Sequence, residues 1–134
     1  MIRVTRPGGR IMVADPDHGQ HGLALDEPAH HRIYAATLRA LLRMIANPHS
    51  GTRLRAMLVR AGLADIEQHV LSIPIVFEDY VRALFLPERL ASAVEAGDIT
   101  LGEAEGFVAV LEARERAGTF DANAIGYFVA ATRP

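Results

Sequence analysis

The feature that most limits the fold of this chain is a short apolar run with a turn on each side. Residues 11–14 (Ile-Met-Val-Ala) follow the turn at residues 6–10 (Arg-Pro-Gly-Gly-Arg) and precede residues 15–17 (Asp-Pro-Asp). Proline presets φ at one turn position, and glycine supplies the positive φ that another requires. A short apolar run bounded in this way predicts a strand buried on both faces, and Pro16 predicts the end of its ladder.

The first half of the remaining chain predicts a loop, two helices and a strand. Residues 18–28 are polar and contain glycine, which is typical of a loop, and the helical period begins after them, at residues 29–46. A second helix is predicted over residues 51–61, with Ser50 or Thr52 as its cap and Gly62 after its end. The next strand is predicted over residues 65–77, with Pro74 at an edge, at a bulge or at the strand end.

The second half predicts more helix and a closing strand. Residues 78–95 predict a helix interrupted at Pro87, and Thr100 with Glu103 forms a capping box at the start of the last helix. The final strand is predicted over residues 122–132. We therefore expect a single α/β domain over residues 1–134, with about three strands and four to five helices.

Composition excludes several classes of protein. The chain has 134 residues, a net charge of -2 and no cysteine. Disulfides and thiolate sites are thus excluded, and nothing in the charge suggests nucleic acid or an anionic membrane as a partner. No stretch approaches the roughly 20 apolar residues of a membrane span, and the start has no secretory h-region. We expect a cytoplasmic protein.

Three segments carry a resemblance to a known family. Residues 3–15 (R-V-T-R-P-G-G-R-I-M-V-A-D) are similar to the R-V-L-K-P-G-G-R turn of class I S-adenosylmethionine-dependent methyltransferases, which leads into the fifth strand of their seven-stranded sheet. Residues 54–66 resemble the helix after that strand and the start of the sixth strand. Residues 126–133 resemble the seventh strand, which pairs antiparallel beside the sixth.

The resemblance covers nearly the whole chain and implies a truncated Rossmann-like methyltransferase fold with the equivalents of strands five, six and seven. Residues 77–117 are then the helical insertion on the substrate side. The family holds its cofactor on a glycine-rich loop after the first strand, but this chain has no G-x-G-x-G and lacks equivalents of the first four strands. S-adenosylmethionine is therefore implied by resemblance only, and its binding residues are unknown.

Two functions are compatible with this pattern. The chain is a truncated or split methyltransferase acting on a small molecule, completed by a homodimer or by a second chain that supplies the N-terminal half. Alternatively, it is a stand-alone methyltransferase-derived scaffold, which acts as a small-molecule-binding or interaction protein or as a cofactor-independent enzyme. A bare structural remnant is a third possibility, because fold alone does not fix function.

Candidate catalytic residues follow the first strand. Ligands of open α/β sheets bind at the carboxyl ends of strands, where this sequence places Asp17 and His18. His18 or His21 is the candidate base for the proton of a methyl acceptor, with Asp15 or Asp17 to orient it. The alternative is that the carboxylates cap a turn and the histidines lie in a solvated loop. His49 is expected at the surface or on a strand face.

Candidate substrate-binding residues are Asp15, Arg32, Tyr34, Phe77 and Tyr80. Arg32 shares a helix face with two further arginines, so this face either binds an acidic substrate or is simply solvated. The aromatic residues either line an apolar pocket or belong to the core. No metal site is expected, because the histidines near residues 18–31 are joined by no cysteine and by no glutamate at a motif position.

The first strand also predicts self-association. An exposed apolar strand edge pairs with another chain or aggregates, and the neighbour that the resemblance implies for residues 11–14 is missing. We expect a homodimer that covers this strand. On the same reasoning Met12 is expected to be buried, so that Met12→Asp would cost several kcal/mol.

Overall fold

The computed structural model describes residues 2–134, which form an α/β structure of three strands and five α-helices. The strands are β1 (Arg10–Leu23), β2 (Ala64–Pro74) and β3 (Ala122–Thr132). The helices are α1 (Pro28–Met44), α2 (Ser50–Arg60), α3 (Phe77–Arg82), α4 (Leu86–Glu95) and α5 (Leu101–Arg116), with a short 3₁₀ turn at Ile2–Val4. The expected class and the numbers of strands and helices are confirmed for the described residues.

The last strand lies in the middle of the sheet, in the order β1-β3-β2. At one end of β1, Arg133 N donates to Gly9 O, and beyond the other end Ala24 N donates to Asp121 O, so β1 and β3 are antiparallel. Ile75 N donates to Ala122 O, which makes β2 antiparallel to β3 as well. Both β1 and β2 are therefore edge strands. The bounds predicted for β3 and the placement of Pro74 at the end of an edge strand are confirmed.

The predicted end of β1 at Pro16 is wrong, because the strand continues to Leu23 through residues expected to be a loop. Fifteen positions separate Gly9 from Ala24, whereas twelve separate their partners Arg133 and Asp121. The extra residues of β1 bulge out of the ladder. An edge strand and a bulge are the two places where a sheet tolerates proline, because no neighbour needs its missing N–H.

The prediction that β1 is buried on both faces is also wrong. Ile11 is buried, but the next residue, Met12, is 72% exposed. Side chains alternate along a strand, and only one face of the sheet is packed against α2. That face forms a small core whose buried members are Ile11, Leu58, Leu63, Val129 and Ala131.

Contacts divide the described chain into two units. The sheet unit consists of residues 2–20, Asn47–Ile73 and Ala124–Pro134, and it contains α2 with most of the sheet. The helical unit consists of His21–Ala46 and Pro74–Asn123 and contains α1, α3, α4 and α5. Its core includes Ile33, Leu90, Phe107 and Leu111.

Helix boundaries follow the sequence signals with two exceptions. The capping box of Thr100 and Glu103 is confirmed at the start of α5, and Gly62 has positive φ after α2 as predicted. The predicted cap of α2 is wrong, because His49 is the N-cap residue and makes no capping side-chain bond. Pro87 lies in the first turn of α4, where its missing N–H costs no hydrogen bond. The predicted interruption therefore comes before Pro87, between α3 and α4. None of the helices in residues 2–134 combines the length and the apolar character needed to cross a bilayer.

Candidate functional site

A buried carboxylate lies at the centre of the candidate site in the sheet unit. Asp17, on β1, is 1% exposed, and its side chain bonds to residues at the start of α2. Its Oδ1 is 2.9 Å from His49 Nδ1 and accepts a second bond of 2.9 Å from Gly19 N. Its Oδ2 accepts from the hydroxyl of Thr52. Hydrogen bonds to a charged group are the strong ones, so this carboxylate is firmly positioned.

Two glycines allow this arrangement to form. A Cβ on Gly51 would come within 2.7 Å of the Asp15 carbonyl oxygen, so only glycine lets the start of α2 pack this closely on β1. A Cβ on Gly19 would come within 2.5 Å of the His49 ring. His18 N also donates to Pro48 O at 2.8 Å, which ties the segment before α2 to the strand. The carboxylate of Asp17 thus faces the positive end of the α2 dipole.

His49 is the exposed partner of the buried carboxylate. Its side chain is 45% exposed, whereas that of Asp17 is 1% exposed. Because an ionised carboxylate only accepts, His49 Nδ1 is the donor, and in the neutral imidazole Nε2 then carries the lone pair. A carboxylate that fixes the tautomer of an accessible imidazole is the arrangement of a general base. The predicted exposure of His49 is confirmed, but its pairing with Asp17 was not predicted from the sequence.

The other candidates near Asp17 lie outside this hydrogen-bonded pair. Burial lowers the pKa of His18, and the charges of Asp15 and Asp17 oppose that effect. Asp15 is half-buried and lines a groove of about 390 Å³ with Arg53 and Arg60 of α2. The predicted use of His18 as the base and of Asp15 in substrate binding remain predictions.

The predicted aromatic residues and His21 lie in the helical unit. His21 is buried, and its carbonyl accepts a hydrogen bond from the Tyr34 hydroxyl. Burial raises the pKa of Tyr34 to about 12, Tyr80 adds to the rise, and Arg89 opposes it. Tyr80 is fully buried, so this part of the aromatic set belongs to the core. Phe77 is half-buried and packs edge-on against Phe120 with ring centroids 5.3 Å apart.

The arginine face of α1 is largely neutralised by acids of the same unit. Arg32 pairs with Glu103 and donates to the carbonyl oxygen of Asp98 at 3.2 Å. The carboxylate of Asp98 lies 3.4 Å from Arg39 and 4.0 Å from Arg43. All three arginines are about half exposed, which favours a solvated face over a site for an acidic substrate.

The residues described here do not fit S-adenosylmethionine by themselves. A glycine cradle needs open space where a Cβ would be, next to the ligand. At Gly19 and Gly126 that space is filled by His49 and by Ile73. The glycines with open space are at positive-φ turns or at exposed positions of α5. Within residues 2–134, no three His, Asp or Glu side chains come together as metal ligands.

Comparison with known proteins adds no assignment. The chain matches no protein-family model and no curated protein. The site is therefore interpreted from its own geometry and from the resemblance of the three segments.

Proposed function

We propose that this chain is the C-terminal part of a cytoplasmic class I S-adenosylmethionine-dependent methyltransferase that acts on a small molecule. The pairing of Asp17 with His49 carries the proposal, because it offers a positioned base at an exposed surface. The position of the last strand supports the resemblance: β3 lies antiparallel beside β2, as expected of the family's seventh and sixth strands.

The contribution of this chain is the removal of a proton from the acceptor. A hydroxyl or amine that gains a methyl group must lose its proton, and His49 Nε2 takes that proton as the acceptor attacks. The imidazole then becomes an imidazolium, whose charge is stabilised by Asp17 at 2.9 Å from Nδ1. The bonds from Thr52 and Gly19 hold the carboxylate in place for this step.

The cofactor site must be completed outside these residues. We propose that a second copy of the chain or another chain supplies the glycine-rich loop. The edge strand β1 is the natural place for such a partner, because it has a neighbouring strand on one side only and Met12 is exposed. A homodimer through β1 remains part of this proposal.

The test isolates the chain natively with its bound partners and measures S-adenosylmethionine binding and methyl transfer to a panel of small phenols, amines and acids. We expect binding by the assembly, and a loss of turnover in His49→Gln of about 10²-fold or more with cofactor affinity unchanged. His69→Gln, a change of another exposed histidine, is the matched control and should leave turnover unchanged. An assembly that binds no cofactor at any protein concentration contradicts the proposal.

A second candidate is favoured by the completeness of the site within the sheet unit. Asp17, His49 and Thr52 need no other chain to form their hydrogen bonds. A stand-alone scaffold that binds a small molecule, or a cofactor-independent enzyme, would use the same pair. This candidate predicts activity or ligand binding by the isolated chain that is independent of S-adenosylmethionine and is lost in His49→Gln.

A further inference from the structure

The helical unit contains a second buried charge that the proposed function does not use. Arg89 of α4 has no exposed surface, and its guanidinium carbon lies 5.1 Å from the centroid of the Tyr80 ring. The guanidinium and the Tyr80 hydroxyl interact with each other by charge and by a side-chain hydrogen bond, which oppose the rise that burial causes in the pKa of Tyr80. Within residues 2–134 no other acceptor lies within hydrogen-bond distance of the three guanidinium nitrogens. Most of the five N–H donors of the guanidinium are therefore buried without an acceptor.

Three acidic side chains of this unit pair with other arginines. Glu103 pairs with Arg32, Asp98 lies beside Arg39, and Asp26 pairs with Arg114. A stacking contact with an aromatic face offsets only part of the cost of burying a guanidinium. Buried polar groups in folded proteins are almost always satisfied by protein, by water or by a ligand. The cluster of Arg89 and Tyr80 thus has the composition of an anion-binding site.

We propose that Arg89 and Tyr80 bind the carboxylate of a small aromatic monocarboxylic acid. The planar guanidinium fork matches a carboxylate in bidentate geometry, and the Tyr80 hydroxyl supplies a further donor. One arginine neutralises one negative charge. A phosphate dianion would leave a net charge in the apolar core, so the geometry favours a monoanion.

The surroundings fit an aromatic ring. The Tyr80 and Phe120 rings pack edge-on with their centroids 5.5 Å apart, and Phe120 also packs edge-on against Phe77. A mostly apolar cavity of about 180 Å³ in the same unit is lined by residues that include Phe77, Leu86 and Leu90. Arg89 and Tyr80 do not line it themselves but are close to these residues along α3 and α4. The one carboxylate in its lining, Glu112, pairs with Arg116. We place the ring of the ligand in this cavity, with its carboxylate toward Arg89.

The junction between α3 and α4 offers a way for the ligand to enter. Phe85, the residue before α4, has a φ of 53° and is 47% exposed. A bulky residue with positive φ is strained, and such strain is often found at segments that move. Arg89 N donates to Phe85 O at 2.9 Å, so a change at this junction moves the turn that carries Arg89.

The test uses benzoate, with the neutral isostere benzamide and inorganic phosphate at matched ionic strength. Binding to the full chain is followed by thermal unfolding and by calorimetric titration, without S-adenosylmethionine, so the result does not depend on the proposed function. Benzoate at ten times its dissociation constant should raise the melting temperature by about 5 °C. Benzamide and phosphate should have no effect.

Two variants locate the site. Arg89→Met should melt above the wild type without ligand, because an unpaired charge is removed, and it should lose the benzoate response. Tyr80→Phe should weaken benzoate binding about tenfold through the loss of one hydroxyl donor. A wild type that ignores benzoate overturns the proposal, as does an Arg89→Met variant that still binds it. Binding of phosphate but not of benzoate would overturn the proposed ligand class.

Discussion

Asp17 and Arg89 both carry a buried charged group, but the two groups differ in how fully they are hydrogen-bonded. Asp17 accepts hydrogen bonds from His49, Thr52 and Gly19, all within the sheet unit. The guanidinium of Arg89, in the helical unit, lies over the Tyr80 ring, and its nitrogens have no acceptor other than the Tyr80 hydroxyl among residues 2–134. One charge is compensated by the fold, and the other is not.

The difference in hydrogen bonding predicts how each buried charge contributes to the stability of the fold. A buried charge with a full set of hydrogen bonds is fixed in place, and its removal leaves donors unsatisfied. A buried charge without partners destabilises the fold, so its removal relieves a cost. The fold therefore fixes the Asp17 carboxylate in place by itself, whereas we propose that a ligand compensates the charge of Arg89. Opposite signs of mutational effect follow, and they can be measured.

The largest expected effect is that of Asp17→Ala. Three donors lose their acceptor and a buried side chain is truncated, so the free energy of unfolding should fall by about 3 kcal/mol. Equilibrium urea unfolding measures this change. Asp15→Ala is the matched control, because Asp15 is half-buried two residues away, and it should cost less than about 1 kcal/mol. Equal losses in the two variants would show that the bonds to Asp17 do not stabilise the fold.

The next effect, with the opposite sign, is that of Arg89→Met. Methionine keeps the length and apolar stem of the side chain while removing its unpaired charge, so the free energy of unfolding should rise by about 2 kcal/mol. The same urea titration measures it. Arg114→Met is the control, because Arg114 pairs with Asp26 and is only partly exposed. Its removal should bring no gain. A loss of stability in Arg89→Met would place Arg89 in the same class as Asp17.

Of the two residues that pair in this site, Asp17 was predicted from the sequence and His49 was not. Asp17 was predicted because it follows an apolar run, which is a local signal. His49 lies 32 residues later, and nothing local distinguishes it from a solvated histidine in a turn. Its role depends on Gly51, which lets α2 approach β1, and a close approach between distant segments leaves no periodic signal.

The elements themselves were predictable where local chemistry decides them. The capping box of Thr100 and Glu103 fixes the start of α5, and the alternating apolar residues of β3 fix its bounds. The end of β1 was not predictable from Pro16, because the effect of a proline depends on whether a neighbouring strand needs its N–H. That information lies in the sheet order and not in the local sequence.

A smaller effect on stability should come from His18, because nearby carboxylates offset only part of the cost of burying its charged form. Its pKa is lowered by burial, although Asp15 and Asp17 oppose the shift. Below about pH 6.5 the unfolded chain binds a proton that the folded chain resists, so the contribution of His18 to stability is complete above that pH and is lost as the pH falls through the lowered pKa. His18→Asn should therefore lose less stability than the wild type between about pH 7.5 and about pH 5.5. Urea midpoints across this range test the expectation, and parallel curves for the two proteins would contradict it.

The smallest effect on the fold should be that of Met12→Asp, which places a new carboxylate on the same strand as Asp17 but on its exposed side. Met12 is 72% exposed, so the free energy of unfolding of the dilute chain should change by less than about 0.5 kcal/mol. Self-association should respond differently, because a charge at an edge strand opposes pairing with a second copy. Urea unfolding of the dilute wild type and variant measures the first effect, and sedimentation equilibrium of both proteins measures self-association. If the variant unfolds more easily at high dilution, the exposed face is packed after all. If both proteins form the same dimer, β1 is not its contact, and the partner that completes the cofactor site must bind elsewhere.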